Sequence, residues 1–343
     1  MRNIGLRFEH FIFDLFNSFK LDSNLISQPL DKGVDIEIAK NSDTYGVEVK
    51  IYRSRRIPIS TIKNSLVQLQ YNLQNNKYKG GFLVSTANIE PQIREELKKE
   101  FEIEIFDRGI LISLTSGNKN LRNELEVILL ELSQSGEEDI YDGVFTHSHK
   151  YTMEFINFKK TNIPKVNKGK ELCEELTALS AGKKTAKEYE IQCERILKYI
   201  FENDFSNWQN QTTTVDTLHI FDLIAKISST NDFWKLLARD FHSRFVVFEF
   251  KNYKKKIKQG QVYSTEKYLY KTALRNIAII LTRDGAEKNA ITAMEGSLRE
   301  SGKLIISLDQ KDICEMLRMK DDGDDPNTYL TEKIDFILMK LSR

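Results

Sequence analysis

The 343-residue sequence predicts an α/β protein made of two consecutive units, each a mixed central sheet flanked by helices. Three observations carry that expectation. The order helix, strand, strand, helix, strand, helix, strand occurs twice along the chain, as an architectural repeat with little literal identity. Each pass holds a short apolar run suited to a fully buried strand, GGFLVST at 80–86 and NIAIILT at 276–282. Each pass also carries an Asp followed by a Glu-x-Lys in strand context.

The first unit is expected over 1–133. Its opening helix, at about 4–19, places Phe8, Phe11, Ile12, Leu15 and Phe16 at helical spacing. Glu9, His10 and Asp14 interrupt that run and no small-residue cleavage site follows it, which argues against a signal peptide. Strands follow at about 33–39 and 45–52. A helix at about 59–76 then lines up Ile62, Leu66, Leu69 and Leu73. After the strand at 80–86 comes a helix at 91–101 that starts on Pro91, where the missing N–H costs nothing. A strand at 103–107 and a helix at 121–132 complete the unit.

From 134 to 185 the chain is rich in Ser, Gly, Lys and Asn and shows one helix, at 171–179; it reads as a linker. The second unit, 186–343, starts with a helix at 186–201. Strands at 217–227 and 245–253 follow, with an inserted helix at 231–241 between them. Then come a helix at 259–273, the strand at 276–282, a helix at about 286–300, a strand at 303–309 and two short closing helices.

Composition bounds the function. Forty per cent hydrophobic residues describe a globular chain, and no apolar run is long enough to cross a bilayer. The formal charge of +1 means that any nucleic-acid surface is a local patch. Cys173, Cys193 and Cys314 are scattered without C-x-x-C or an even pattern, which points to a reducing, cytoplasmic setting. No Walker loop, G-x-G-x-x-G or Ser/His/Asp set is present, so no nucleotide cofactor is expected.

The chemistry concentrates in the two strand clusters. Side chains alternate along a strand, so Glu48 and Lys50 share one face while Val47 and Val49 take the other. Asp35, from the preceding strand, completes a two-carboxylate site for a hard cation such as Mg²⁺. Lys50 is placed to orient a water or to stabilise charge on a phosphate. Asp222, Glu249 and Lys251 repeat the arrangement, with Asp216 as a rival for the first acid. Arg53, Arg55 and Arg56 follow one cluster, and Lys254, Lys255, Lys256 and Lys258 follow the other; both runs are candidates for phosphate contact. Gln70 and Tyr71 are weaker candidates, read mainly as helix surface. His147 and His149 lack a third metal ligand. DDGDD at 321–325 lacks the spacing of a calcium loop and reads as a turn capping the last helix.

These clusters resemble the PD-(D/E)xK nuclease superfamily. The first half is similar to Mrr-type restriction endonuclease domains over about 1–116, through Gly5–Glu9, GVDI at 33–36, VEVK at 47–50, KGGFLVSTA at 79–87 and IEIFDRGIL. The second half resembles restriction-endonuclease-like domains over 186–343, through DLI at 222–224, FEFKNY at 248–253, IILTR at 279–283 and KLIISLDQKDICEML. The resemblance implies an endonuclease acting on DNA with Mg²⁺ or Mn²⁺ in bacterial defence, as a homodimer or with a partner subunit. It leaves open an RNA nuclease, or a nucleic-acid-binding protein with inactive domains. It also implies a helical acid beside the metal, matched by Glu9 and by Glu190, with Glu194 as the alternative.

Overall fold

A computed structural model describes residues 2–26, 33–133, 155–157, 165–213, 220–229 and 231–341. His147, His149 and Asp216 lie outside the described residues, as does most of the stretch read as a linker. The chain divides into two compact units, Met1–Val166 with Asp322–Asp324, and Asn167–Asp321 with Asp325–Arg343.

In the first unit, α1 (Arg2–Ser18) is followed by β1 (Asp22–Leu25), β2 (Ile36–Lys40) and β3 (Asp43–Lys50). Next come α2 (Ile59–Asn75), β4 (Gly80–Ser85), α3 (Pro91–Phe101), β5 (Glu104–Phe106), α4 (Arg108–Leu114) and α5 (Lys119–Leu132). The five strands lie in the order β1-β2-β3-β4-β5. β1, β2 and β3 pair antiparallel, and β3, β4 and β5 pair parallel. A two-residue turn joins β2 to β3, with Asn41 in the left-handed region that such turns require.

Helices cover both faces of this sheet. On one, Phe8, Phe11, Ile12, Leu15 and Phe16 of α1 pack with α4 and α5 against Val47, Phe82 and Phe106. On the other, Ile62, Leu66, Leu69 and Leu73 of α2 pack with α3 against Leu83 and Ile105. β4 is buried along its whole length, as a strand covered on both faces must be. α2 lies close because Gly46 and Gly81, partners across the β3–β4 ladder, leave space for the Leu73 side chain.

The second unit opens with α6 (Lys168–Ala178), α7 (Ala186–Ile200), β6 (Phe205–Thr213) and β7 (Ile220–Ile227). It continues with α8 (Asp232–Asp240), β8 (Phe245–Lys251), α9 (Gln259–Glu266), β9 (Ile277–Thr282), α10 (Lys288–Ser301) and β10 (Leu304–Leu308). α11 (Gln310–Asp321) and α12 (Asn327–Lys340) end it. Its strands run β6-β7-β8-β9-β10, antiparallel from β6 to β8 and parallel from β8 to β10. Order and pairing therefore repeat those of the first sheet. α9 and α10 cover one face through Val262, Ala290 and Met294. α6, α7, α8, α11 and α12 cover the other, around Trp234, whose ring meets Phe201, Phe205 and Phe233 edge-on.

Several sequence expectations need correction. The first strand of each sheet, β1 and β6, is absent from the expected element order. The helix at 259–273 stops at Glu266, and a single 3-10 turn follows at Lys271–Ala273. The helix found inside the linker is α6, whose Leu172 and Leu176 belong to the second unit's core. α6 packs against α11, and the approach joins Cys173 to Cys314 in a disulfide across a sequence separation of 141, where the sequence suggested no pairing. Gln70 is buried and donates to the Phe101 carbonyl, so it belongs to neither surface nor groove. Asp325 does accept the Asn327 amide as α12 begins, and Asp321 caps α6 by accepting the Gly169 and Lys170 amides. No described helix is long and apolar enough to cross a membrane.

Candidate active site

Glu48 and Lys50 lie on β3 with Val47 and Val49 packed into the α1-side core, so the acid and the amine face the α2 side. Lys50 Nζ is 3.2 Å from Glu48 Oε1. Asp35, one residue ahead of β2, accepts the Val49 amide on Oδ2 at 2.6 Å. The loop carrying Asp35 is pinned at Gly33, whose carbonyl accepts from Asn72 on α2 at 2.7 Å. Gly33 has a φ of 71°, and the Asn72 side chain fills the space a Cβ would need. Asp324, grouped with the same unit, places Oδ1 2.9 Å from Lys50 Nζ.

The second unit builds the same figure. Lys251 donates to Glu249 Oε2 at 2.6 Å and lies 3.9 Å from Asp222 Oδ2. Asp222 Oδ2 accepts the Phe250 amide at 2.7 Å. In both units, then, the residue between Glu and Lys gives its backbone N–H to the upstream Asp. That bond spans 14 residues in the first unit and 28 in the second, where α8 is inserted between the two strands.

Burial and mutual repulsion dominate the electrostatics. Loss of solvent and the neighbouring Asp35 push the Glu48 carboxyl up to about 8 against the opposing pull of Lys50. Burial raises Glu249 to about 7; Lys251 opposes the rise and Asp222 adds to it. Burial alone would lower the Lys50 pKa, but Asp324 and Glu48 outweigh it and hold the ammonium well above its usual range. Glu9 on α1 is raised by burial and then by the Glu48 charge, which places it within electrostatic reach of the cluster. Glu190 acts in the same way on Asp222. Glu194 instead pairs with Lys198 and accepts from Asn210.

No group of three or more His, Cys, Asp or Glu side chains able to hold a metal ion is gathered among the described residues. Mg²⁺ asks less of a protein, because it keeps several waters and binds through one or two carboxylates together with substrate phosphate. The crowded carboxylate pairs suit such an ion. So does Glu249 Oε1, which is buried without a hydrogen-bond partner.

The basic runs differ in setting. Arg56 is exposed while Arg53 and Arg55 are half-buried, and Lys254, Lys255, Lys256 and Lys258 are all exposed. Sequence reasoning missed four residues beside the clusters or the basic runs that follow them. Arg108 is buried, and desolvation with the adjacent Arg55 charge lowers its pKa to about 10. Asp324 had been read only as part of a turn. Tyr268 packs edge-on to Phe221 and feels the Glu249, Lys251 and Asp222 charges. Asn252 ties the end of β8 to the Gly182 carbonyl and to Thr185, and its own carbonyl is held by Arg283. Arg108 and Asn252 carried a sequence signal, in the segments IEIFDRGIL and FEFKNY.

Residues 2–115 match the family model of the Mrr catalytic type, described as restriction endonuclease. The matched region contains Glu9, Asp35, Glu48 and Lys50. A search of curated proteins found no match. With a mixed five-stranded sheet, Glu48 and Lys50 on its third strand and Asp35 just ahead of the second, residues 2–115 are similar to a restriction endonuclease catalytic domain.

Proposed function

We propose that the chain is a metal-dependent endonuclease that hydrolyses DNA phosphodiester bonds, with a reaction centre in each unit and a role in bacterial defence against foreign DNA. One observation carries the reading: in both units the Lys ammonium lies beside the Glu, and the backbone amide between them donates to the upstream Asp. A wet strand face needs no such upstream Asp, and two independent wet faces have no reason to share it.

Asp35 and Glu48 would hold the cation in the first unit and Asp222 and Glu249 in the second, with Glu9 and Glu190 nearby. The bound ion would polarise the scissile phosphate and acidify a water. The backbone amide fixes each Asp carboxylate, so its orientation is set before substrate arrives. Lys50 and Lys251 place an ammonium beside the Glu, where it can answer negative charge building on the phosphate. The Arg53–Arg56 and Lys254–Lys258 stretches supply cations for the flanking phosphates.

The test is cleavage of duplex, single-stranded and nicked DNA and of RNA, with Mg²⁺ or Mn²⁺, by Glu48→Ala, Glu249→Ala and the double variant. We expect the double variant to lose at least about 100-fold in rate, the scale on which removal of electrostatic stabilisation is felt. Full cutting by the double variant sinks the assignment, and RNA cut in preference to DNA redirects it. A second reading, in which the second unit binds nucleic acid without cutting, is favoured by the end of the family match at residue 115. It predicts that Glu249→Ala cuts as the unaltered chain does.

A further inference from the structure

Adjacent helices on one sheet face ordinarily meet through apolar or small side chains. α9 and α10 do so where they touch the sheet, through Val262, Ala290 and Met294. Further out they part around a cleft of about 300 Å³ with a mostly polar lining. Gln259 and Tyr263 of α9 face it, one turn apart, opposite Asn289, Gly296 and Ser297 of α10. Two details mark the cleft as shaped. A Cβ on Gly296 would meet nothing nearer than Arg299 Nη2 at 4.0 Å, so the space over this position is open. Ser297 is 5% exposed, yet its Oγ makes no hydrogen bond, although a mid-helix serine commonly returns its proton to the preceding turn.

The charges in the lining cancel locally. Glu266 is paired with Lys303 at 3.4 Å, and Arg299 with Glu300 at 3.2 Å. What remains is a neutral surface of amides and hydroxyls beside the half-exposed Tyr263 ring. Such a surface does not select an anion. It suits a flat, uncharged ligand that stacks on one face and exchanges hydrogen bonds along its edge, as a nucleobase does with aromatic, Asn and Gln side chains.

Topology sets where the cleft opens. β8 and β9 are parallel, so the helices that follow them both begin at the end of the sheet where Lys251 lies. Gln259 and Asn289, at those helix starts, therefore form the end of the cleft nearer the Asp222/Glu249/Lys251 cluster. The Lys254–Lys258 run leads directly into it.

We infer that the α9–α10 cleft is a nucleobase-binding subsite, which takes an unpaired base of a strand whose backbone is led in along Lys254–Lys258. The inference rests on the nuclease reading for its substrate, but binding can be measured apart from cutting. The probe is a single-stranded oligodeoxynucleotide carrying one 2-aminopurine, titrated with the full chain in EDTA and followed by fluorescence. Tyr263→Ala, which removes the stack, and Gly296→Leu, which fills the floor, should each weaken binding about tenfold. Ile291→Ala, at an exposed position of α10 outside the lining, is the control and should bind as the unaltered chain does. A fully paired duplex of the same sequence should be indifferent to all three changes. Competition by free adenosine or thymidine at millimolar concentration assigns the cleft to the base itself. Loss of binding in the two variants without such competition assigns it to a base presented on a strand. Unchanged affinity in both Tyr263→Ala and Gly296→Leu overturns the proposal, as does displacement by deoxyribose 5-phosphate as effective as that by nucleosides. Quenching that persists while Mg²⁺-dependent cutting is absent fails the nuclease reading and not the cleft; the reverse result fails only the cleft.

Discussion

Burying a carboxylate is costly unless its charge is answered, and the second unit holds such an acid outside its Asp/Glu/Lys cluster. Asp325 accepts from Asn231 Nδ2 at 2.9 Å and from the Asn327 amide at 3.0 Å, but burial and the nearby Asp204 still push its carboxyl up to about 6. Asp204 is itself raised by burial, held down by Asn327 and Ser229 and by the Lys320 charge. A folded pKa above the unfolded value of 3.8 means that the folded state binds this proton more tightly. The stabilisation is therefore complete below pH 3.8, declines as pH rises to about 6, and is absent above it. Relative to Asp325→Asn, the unaltered chain should lose up to about 3 kcal/mol between pH 3.5 and 7, read from urea midpoints. A constant difference across that range would remove the effect. At this scale the sequence was legible where chemistry follows strand alternation, as with Glu48 and Lys50 or Glu249 and Lys251. It was silent on Asp324 and Tyr268, which reach the clusters through tertiary folding, with no local pattern to mark them.

Among the elements, the buried ones were readable and the sheet edges were not. β4 and β9 are apolar throughout and flanked by turn residues. β1, by contrast, is the four polar-leaning residues DSNL, and β6 is FSNWQNQTT with a register shift between Ser206 and Gln209 and Asn207 at a φ of 50°. An edge strand needs little hydrophobic patterning, and a bulge breaks what there is. The missed pairing of Cys173 with Cys314 has the same cause, since α6 looks like linker until its contact with α11 is known. Glycines were also undervalued. On Gly81, a Cβ would come within 2.6 Å of Leu73 Cδ1 and 2.9 Å of the Gly46 carbonyl, and the second of these atoms is backbone and cannot swing away. Gly81→Ala should cost the first unit about 1–3 kcal/mol by forcing α2 off the sheet, measured by denaturant unfolding. Gly117, which would meet nothing within 4 Å, is the matched control, and its alanine variant should leave stability within about 0.5 kcal/mol.

Across the whole molecule, two sheets of identical strand order and pairing sit on one chain, each with the acid–amine pair on its third strand. One metal–carboxylate centre attacks one phosphodiester per encounter, so a duplex cut needs two. A chain carrying both centres can supply them without a second copy. On supercoiled plasmid the unaltered chain should then give linear product, while Glu48→Ala and Glu249→Ala should each accumulate nicked circles. One variant behaving as the unaltered chain, with the other inactive, would assign the silent unit to binding. Linear product from both single variants would assign strand division to a homodimer instead.

The amide between Glu and Lys has a use beyond the proposed chemistry. Most strand N–H groups donate to a neutral carbonyl, whereas Val49 and Phe250 donate to carboxylates at 2.6 and 2.7 Å. Charge-assisted bonds of this length move an amide proton far downfield. Each unit thus carries a built-in spectroscopic reporter, one per site, visible in the intact chain by selective ¹⁵N labelling of Val and Phe. Titration with Mg²⁺ should shift the Val49 and Phe250 resonances with separate midpoints, one for each centre. Asp35→Asn should move the Val49 signal upfield and leave Phe250 where it was.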